Sequence, residues 1–319
     1  MNPERPVAVV IPSWNSLALL PRCLESLRDQ GVELEVLVVD NGSSDGTVAY
    51  LEREGVPHVA LPENVGFARA MNLGVARVRA GAVLALNADT VVEPGAVATL
   101  LAALAADPTL GGVQPRILQL EEGQRDAARA HLYSAGQGLT RDGRGVELGA
   151  GEEQSPAALA AREVFGVCGA ACLLRRELFD ELGGYDERYF AFYEDVDLNV
   201  RARIAGRNFA YVPDAVVWHL GNASWMAAAP RPGAWNARLV ARNRIATQAK
   251  FMPLGALPRI LAVEAGALAR AARQRRLRAT LRGKLEGLRL LPAMLRERRR
   301  LAREGDLGGP RRWLGKDGA

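Results

Sequence analysis

The order that decides the fold opens the chain: Val7-Ala8-Val9-Val10-Ile11-Pro12-Ser13-Trp14-Asn15, then Leu34-Glu35-Val36-Leu37-Val38-Val39-Asp40-Asn41-Gly42-Ser43-Ser44-Asp45-Gly46-Thr47. Val7 to Ile11 is a short, wholly apolar run of the kind buried on both faces of a parallel sheet, closed by Pro12. Leu34 to Val39 is a second such run, ending at Asp40. Between them Leu17, Leu20, Leu24 and Leu27 recur at helical spacing, which predicts a helix over Leu17 to Arg28. After the Asn-Gly-Ser-Ser-Asp-Gly turn a helix is predicted from Thr47 to about Glu54. The pattern repeats outward, with strands at His58 to Leu61 and Val83 to Leu86. Helices follow from about Gly66 to Arg79 and from Pro94 to Ala106, the last with proline at its first turn. Four alternations of strand and helix predict an α/β fold with a doubly wound, mostly parallel sheet.

Ligands of such sheets bind beyond the carboxyl ends of the strands. Three polar stations fall there: Pro12-Ser13-Trp14-Asn15, Asp40-Asn41-Gly42 and Asn87-Ala88-Asp89. A carboxylate placed like Asp89 can hold Mg2+ or Mn2+ while diphosphate oxygens complete the shell. It can equally cap the turn before the next helix. Asp40, which only accepts hydrogen bonds when ionised, can select an N–H of a base or form an Asx turn.

Past Val113 the periodicity loosens, and residues 119 to 162 read as a hairpin and a mobile loop. Regular structure resumes from Glu163 to about His219. Within it stands Tyr193-Glu194-Asp195-Val196-Asp197-Leu198-Asn199-Val200-Arg201, directly after the aromatic run Tyr189-Phe190-Ala191-Phe192. Glu194 and Asp195 begin a helix, where the dipole favours negative charge, and Glu194 and Asp197 share a face. Helix capping alone explains such a pattern. A loop-borne carboxylate is also how a scaffold presents a general base. With Asp89 as a second carboxylate station, the pattern suggests metal-assisted group transfer. His219, after Val216-Val217-Trp218 at a strand end, is placed to reach a metal or phosphates.

The chain has 319 residues, enough for one large domain or a domain with an appendage, and 49% apolar residues. Its net charge of +5 hides an asymmetry. Residues from Arg231 onward carry 22 basic and 6 acidic side chains, whereas residues 1–230 carry 19 basic and 30 acidic ones. An acidic body (1–230) therefore bears a basic tail (231–319), a charge pattern that suits an anionic surface. The three cysteines have neither metal-ligand nor redox spacing, which points to a reducing compartment. The opening Met-Asn-Pro-Glu-Arg-Pro has no signal-peptide character, and Leu254 to Ala272 is too interrupted by charge to span a membrane. A cytoplasmic protein is expected.

No G-x-G-x-x-G follows the first strand and no Walker-type phosphate loop, G-x-S-x-G or H-E-x-x-H occurs, which argues against dehydrogenase, P-loop and the corresponding hydrolase chemistries. The ordered motifs instead resemble glycosyltransferase family 2, of GT-A fold, in its bacterial rhamnosyltransferase-like branch. They are Val-Val-Ile-Pro-Ser-Trp-Asn from Val9 and Val-Val-Asp-Asn-Gly-Ser-Ser-Asp-Gly-Thr from Val38, then Asn-Val-Gly-Phe-Ala-Arg-Ala-Met-Asn-Leu-Gly from Asn64 and Leu-Asn-Ala-Asp-Thr from Leu86. Gly-Ala-Ala-Cys-Leu-Leu-Arg-Arg from Gly169, Gly-Gly-Tyr-Asp-Glu-Arg-Tyr-Phe from Gly183, Glu-Asp-Val-Asp-Leu and Trp-His-Leu-Gly-Asn-Ala-Ser complete the set. Asn87 stands where the family's metal motif commonly has its first Asp.

The resemblance implies an inverting transferase taking a sugar from a dTDP- or UDP-linked donor. The nucleotide half would lie in residues 1–118 and the acceptor half in 119–230. Pro12, Trp14, Asn15, Asp40, Asn64, Arg69, Asn72 and Asn87 would contact the nucleotide sugar. Asp89 and His219 would serve a Mg2+ or Mn2+ ion. Asp195 would be the general base, with Glu194, Asp197, Gly169 and Trp218 supporting it or the acceptor. The acceptor would be a saccharide or a polyprenyl-linked saccharide, in cell-surface polysaccharide synthesis. A catalytically silent sugar-nucleotide binder would show a damaged base or metal station, and both are present. A nucleic-acid partner is disfavoured by the acidic body and the lack of an aromatic platform in the tail. The tail's Leu281, Leu285, Leu288, Leu291 and Leu295, set between arginine clusters, form an amphipathic stripe. It would dock on the inner face of the plasma membrane, or pack on the catalytic body or on a second subunit.

Overall fold

The computed structural model describes residues 7–120, 126–221, 232–305, 308 and 310–315. Strands β1 (Val7–Ser13) and β2 (Leu34–Asp40) are parallel neighbours, joined through helix α1 (Leu20–Glu25). Helix α2 (Thr47–Arg53) leads to β3 (His58–Ala60), and α3 (Phe67–Val75) leads to β4 (Ala82–Leu86), giving the parallel order β3-β2-β1-β4. The two-residue period of β1 divides the core. Ala8 and Val10 pack with Ala68, Met71 and Val75 of α3, whereas Val7, Val9 and Ile11 pack with Leu20, Cys23 and Leu51 of α1 and α2. Helix α1 is shorter than its leucine spacing predicts. Pro21 lies in its first turn, where a missing N–H costs nothing, and the Leu17 N–H is instead capped by Asp45 Oδ2 at 2.9 Å.

The second half interrupts the parallel order. After β5 (Thr90–Val92), α4 (Ala96–Ala106) and β6 (Leu110–Gln119) come β7 (Leu132–Ser134), the hairpin β8 (Gln137–Leu139)–β9 (Gly145–Glu147), and β10 (Arg162–Val164). Strand β11 (Ala171–Arg175) inserts antiparallel between β4 and β6, and the long β12 (Asn208–His219) runs parallel to β6 after α5 (Arg176–Glu181) and α6 (Glu194–Ile204). The main sheet reads β10-β12-β6-β11-β4-β1-β2-β3, with β5 on the far end of β12 and β7 on β6. The hairpin expected within residues 119–162 is thus β8–β9, and the rest of that segment adds β7 and β10. The three cysteines are buried and unpaired.

From Pro232 the chain forms α7 (Pro232–Phe251), α8 (Leu257–Arg273) and α9 (Leu277–Glu304). Helix α7 is fastened to the loop before α6. That loop holds Phe190, Phe192 and Tyr193 at φ of 65°, 67° and 70°, a region costly for bulky side chains. Asn243, fully buried on α7, donates its amide to the carbonyls of Tyr189 (2.9 Å), Ala191 (2.8 Å) and Phe192 (2.6 Å). Two turns on, Lys250 Nζ bridges Asp186 (2.9 Å) and Asp197 (2.6 Å) while only 1% exposed. Helix α9 lies close along α7 because Gly283 and Gly287 face its backbone; a methyl at Gly287 would come within 2.7 Å of the Arg242 carbonyl.

Replacing Lys250 by methionine leaves buried carboxylates of Asp186 and Asp197 short of a cation. It should destabilise the protein by about 3 kcal/mol or more in urea unfolding. An unchanged unfolding midpoint would mean that α7 is not part of the catalytic body.

Candidate active site

The strand ends of the first half and the loops of the second enclose a cleft of about 200 Å³. Its walls include Asn87 after β4, Tyr133, Gln137 and Glu147 from the β7–β9 excursion, Cys168 and Gly169 before β11, Glu194 and Asp195 at the start of α6, and His219 at the end of β12. Phe67 and Asn87 are shared with a smaller pocket lined by Pro12, Ser13, Trp14, Ser16, Asn41 and Ala88, so the first strand's carboxyl end opens into the same space.

Asp195 is held from two sides. Its Oδ2 accepts from the Gly169 N–H at 3.0 Å and from Gln137 Nε2 at 3.0 Å, and its Oδ1 from the Val196 N–H at 2.7 Å. Burial pushes its carboxyl above the ordinary range, and these donors pull it back. Gln137 is itself oriented, since Asn199 Nδ2 donates to its Oε1 at 2.8 Å and to the Val167 carbonyl at 2.9 Å. The same Gln137 amide donates to Glu147 Oε1 at 3.1 Å, and Ser134 Oγ donates to Glu147 Oε2 at 2.6 Å. Burial and the neighbouring Asp195 raise Glu147 to about 7. Glu194 is also pushed well up, by burial first and then by Asp195, and its Oε2 is buried with no hydrogen-bond partner. All three carboxyls are thus raised by burial, and Asp195 is the one held by three N–H donors.

On the opposite station His219 Nε2 lies 3.1 Å from Asp89 Oδ1 and 3.4 Å from Asn87 Nδ2, with the Tyr133 ring edge-on at 4.4 Å. Two donor atoms about 3 Å apart are the separation of adjacent ligands on an octahedral shell of roughly 2.1 Å radius. The Asp89–His219 pair therefore fits a divalent cation. Glu147, Cys168 and Asp195 also offer ligand atoms within 4.8 Å of one another. Burial pushes the Cys168 thiol well up, which keeps it protonated and a poor ligand.

Several expected residues lie elsewhere. Asp197 is fully buried between Lys250 and Arg201, the latter at 2.7 Å, so it anchors α7 and touches no acceptor. Trp218 is buried and donates its indole N–H to Glu93 at 2.6 Å, away from the cleft. Asn72 exchanges two 2.9 Å hydrogen bonds with the Tyr185 backbone and ties α3 to that turn. Asn64 Oδ1 accepts from Gly66 N–H and Asn41, and Asn15 Oδ1 accepts from Ser44 N–H at 2.7 Å, so both order loops. Arg69 is exposed, 3.8 Å from Glu187. Asp40 keeps one oxygen on the Ser43 N–H at 3.0 Å, while its buried Oδ1 has no hydrogen-bond partner among the described residues. Gln137, Glu147 and Tyr133 were not signalled by the sequence, because they fall where periodicity is lost. A polar residue at alternate positions of the short β7–β9 strands is the only trace they leave.

The sequence matches the Glycosyl transferase family 2 model over residues 8–183, more than half of the chain, and the protein belongs to that family. It is 34% identical over 212 residues to an N-acetylglucosaminyl-diphospho-decaprenol L-rhamnosyltransferase of Mycobacterium tuberculosis, covering 58% of this chain and 66% of the relative. It is 34% identical over 223 residues to a pre-mycofactocin glycosyltransferase of the same organism, covering 68% of this chain and 43% of that one. The chain thus spans less than two thirds of the length of these relatives. Among solved structures, GalNAc-T7 with UDP, GalNAc and Mn2+ superposes with a TM-score of 0.56 at 16% identity over 77% of this chain and 51% of that one. The mannosyltransferase PcManGT from Pyrobaculum calidifontis, in complex with GDP-Man and Mn2+, gives 0.51 at 20% identity over 94% and 86%. The architecture is the GT-A fold, and the sequence is of the rhamnosyltransferase-like kind.

Glu147 rises from its ordinary 4.5 to about 7, so between those values the folded protein keeps a proton that the unfolded chain has lost. Its contribution to stability falls as pH rises through that window and is flat above it. Glu147→Gln keeps the side chain's shape and one accepting oxygen without the charge. Its melting temperature relative to wild type should therefore be higher at about pH 8 than at about pH 5. A difference that stays constant across that range would show that Glu147 ionises as it does in water.

Proposed function

We propose that the protein is an inverting glycosyltransferase that moves a sugar from a dTDP- or UDP-linked donor to a hydroxyl of a saccharide carried on a polyprenyl diphosphate. The observation that carries this is the Asp195 carboxylate, fixed by three N–H donors in the same cleft as the Asp89–His219 pair. The nucleotide would lie along the Pro12–Trp14–Asn41 pocket, with the unpartnered Asp40 Oδ1 accepting the imide N–H of a pyrimidine. Asp89 and His219 would hold a Mg2+ or Mn2+ ion, which when bound absorbs charge on the departing diphosphate. Asp195 accepts the proton of the acceptor hydroxyl as its oxygen attacks the anomeric carbon from the face opposite the leaving group. Glu194, beside Asp195 on the cleft wall, would hydrogen-bond the acceptor. Rhamnose is the sugar favoured by the name of the Mycobacterium tuberculosis relative, and the lipid diphosphate acceptor by the same name.

Asp195→Asn keeps the shape and removes the base. Donor affinity should be retained while the transfer rate falls by roughly 10²-fold or more; transfer within about threefold of wild type would rule out Asp195 as the base. Asp89→Ala, or chelator added to wild type, should weaken donor binding. Activity that survives chelation would leave His219 alone to neutralise the diphosphate.

The same proposal puts the protein at a membrane surface. No helix among the described residues is long and apolar enough to cross a bilayer. Leu254, Leu257, Leu261, Leu281, Leu285, Leu288 and Leu295 are nevertheless exposed on α8, α9 and the turn before them, among arginines. Such a face suits an anionic interface. Truncation before α8 is an unsafe test, because α9 covers α7. Changing Leu281, Leu285 and Leu288 together to glutamine should leave the fold intact and abolish co-sedimentation with anionic liposomes at low salt. Unchanged sedimentation would reject docking through this face.

A further inference from the structure

A second cavity, of about 230 Å³, lies outside the catalytic cleft among α7, α8 and α9. Its walls carry four cations, Arg244 from α7, Arg270 from α8, Arg276 from the turn and Lys284 from α9, against one carboxylate, Glu264. Glu264 is spoken for, since it pairs with both Arg244 and Lys284. Arg270 and Arg276 make no ion pair among the described residues and stand exposed at the mouth. Four alanines, Ala237, Ala241, Ala267 and Ala271, share the remaining lining with Val240, Gln274 and Thr280. A pocket with a surplus of three positive charges, two of them guanidinium groups with free forks, matches the geometry and charge of a diphosphate.

Its position narrows the ligand. Val240 of α7 lines this cavity and the catalytic cleft at once. The exposed Leu257 and Leu261 share α8 with Arg270, and the exposed Leu281 and Leu285 flank Lys284 on α9. The same three helices thus offer a reactive cleft on one side of Val240, a cationic pocket on the other, and an apolar surface beside the pocket. We infer that this pocket binds the diphosphate of the lipid-linked acceptor, leaving the sugar in the cleft and the prenyl chain on the leucine face. The inference rests on the proposed lipid-linked acceptor, and it assigns that acceptor's anionic group to residues beyond the region matched by the family. It also gives the excess of arginine in the tail a second task besides attraction to anionic lipid.

Direct binding tests this without requiring turnover. Farnesyl diphosphate is titrated calorimetrically into the full chain in the presence of chelator, with farnesol as its neutral counterpart. The Arg270→Ala/Arg276→Ala double variant, which changes only exposed side chains, should bind farnesyl diphosphate about tenfold more weakly or worse, with farnesol binding unchanged. Asp89→Ala, damaged only at the proposed metal station, should bind it as wild type does. Weakening in Asp89→Ala with none in the double variant would place the diphosphate in the donor site and overturn the inference. Equal loss of farnesyl diphosphate and farnesol in the double variant would also overturn it, because the arginines would then support the apolar face and not the anion. Selective loss in the double variant, from a protein that transfers no sugar, would uphold the pocket while removing the transferase proposal on which it was built.

Discussion

The anchoring of the Asp195 carboxylate is the constraint around which the second half of the molecule is organised. A carboxylate drawn out of water must be matched by donors or it takes up a proton. Three N–H groups supply the match, and they come from three separate parts of the chain: β8 through Gln137, the approach to β11 through Gly169, and α6 through Val196. Bringing them together requires β11 to run antiparallel between β4 and β6 and the β7–β9 excursion to fold back over the cleft. Burial and Asp195 itself push the neighbouring Glu147 and Glu194 upward, while Asp195 is the carboxylate held by three N–H donors.

The same constraint reaches into the C-terminal helices. Asp195 lies two residues after Tyr193, the last of three loop residues held at positive φ, and a backbone so placed persists only when its surroundings dictate it. Asn243 supplies that dictation by satisfying three carbonyls of the loop, and Lys250 neutralises the buried carboxylates on either side. Helix α7 is therefore packed into the body that carries the cleft, and α9 reaches the same body through Leu301, which packs with Phe165, Val196 and Val200. Asp197, by composition an active-site residue, spends its charge on this attachment.

Much of this was legible in the sequence where residues obey a short period. The apolar runs of β1, β2 and β4, the strand-end stations at Pro12, Asp40 and Asp89, and the helix start at Glu194 follow from alternation and capping alone. What escaped depends on long-range pairing. Nothing local marks β11 as antiparallel, and nothing in residues 132–147 announces that Gln137 and Glu147 face Asp195. Trp218 and Asn72 illustrate the opposite error: polar or aromatic residues inside a recognisable motif are there to satisfy Glu93 and the Tyr185 backbone. Motif membership does not separate a residue that touches ligand from one that holds the motif's own turn.

Asp195 accepts N–H donors on both of its oxygens, and the two carboxyls beside it, Glu147 and Glu194, are raised by burial and by Asp195. Asp195 acting as the proposed base implies a single displacement, and stereochemistry reports it directly. The anomeric configuration of the first product formed from a nucleotide-sugar donor, read by proton NMR before any mutarotation, should be opposite to that of the donor. Retention of the donor's configuration would contradict the assignment of Asp195 as a general base acting on the acceptor.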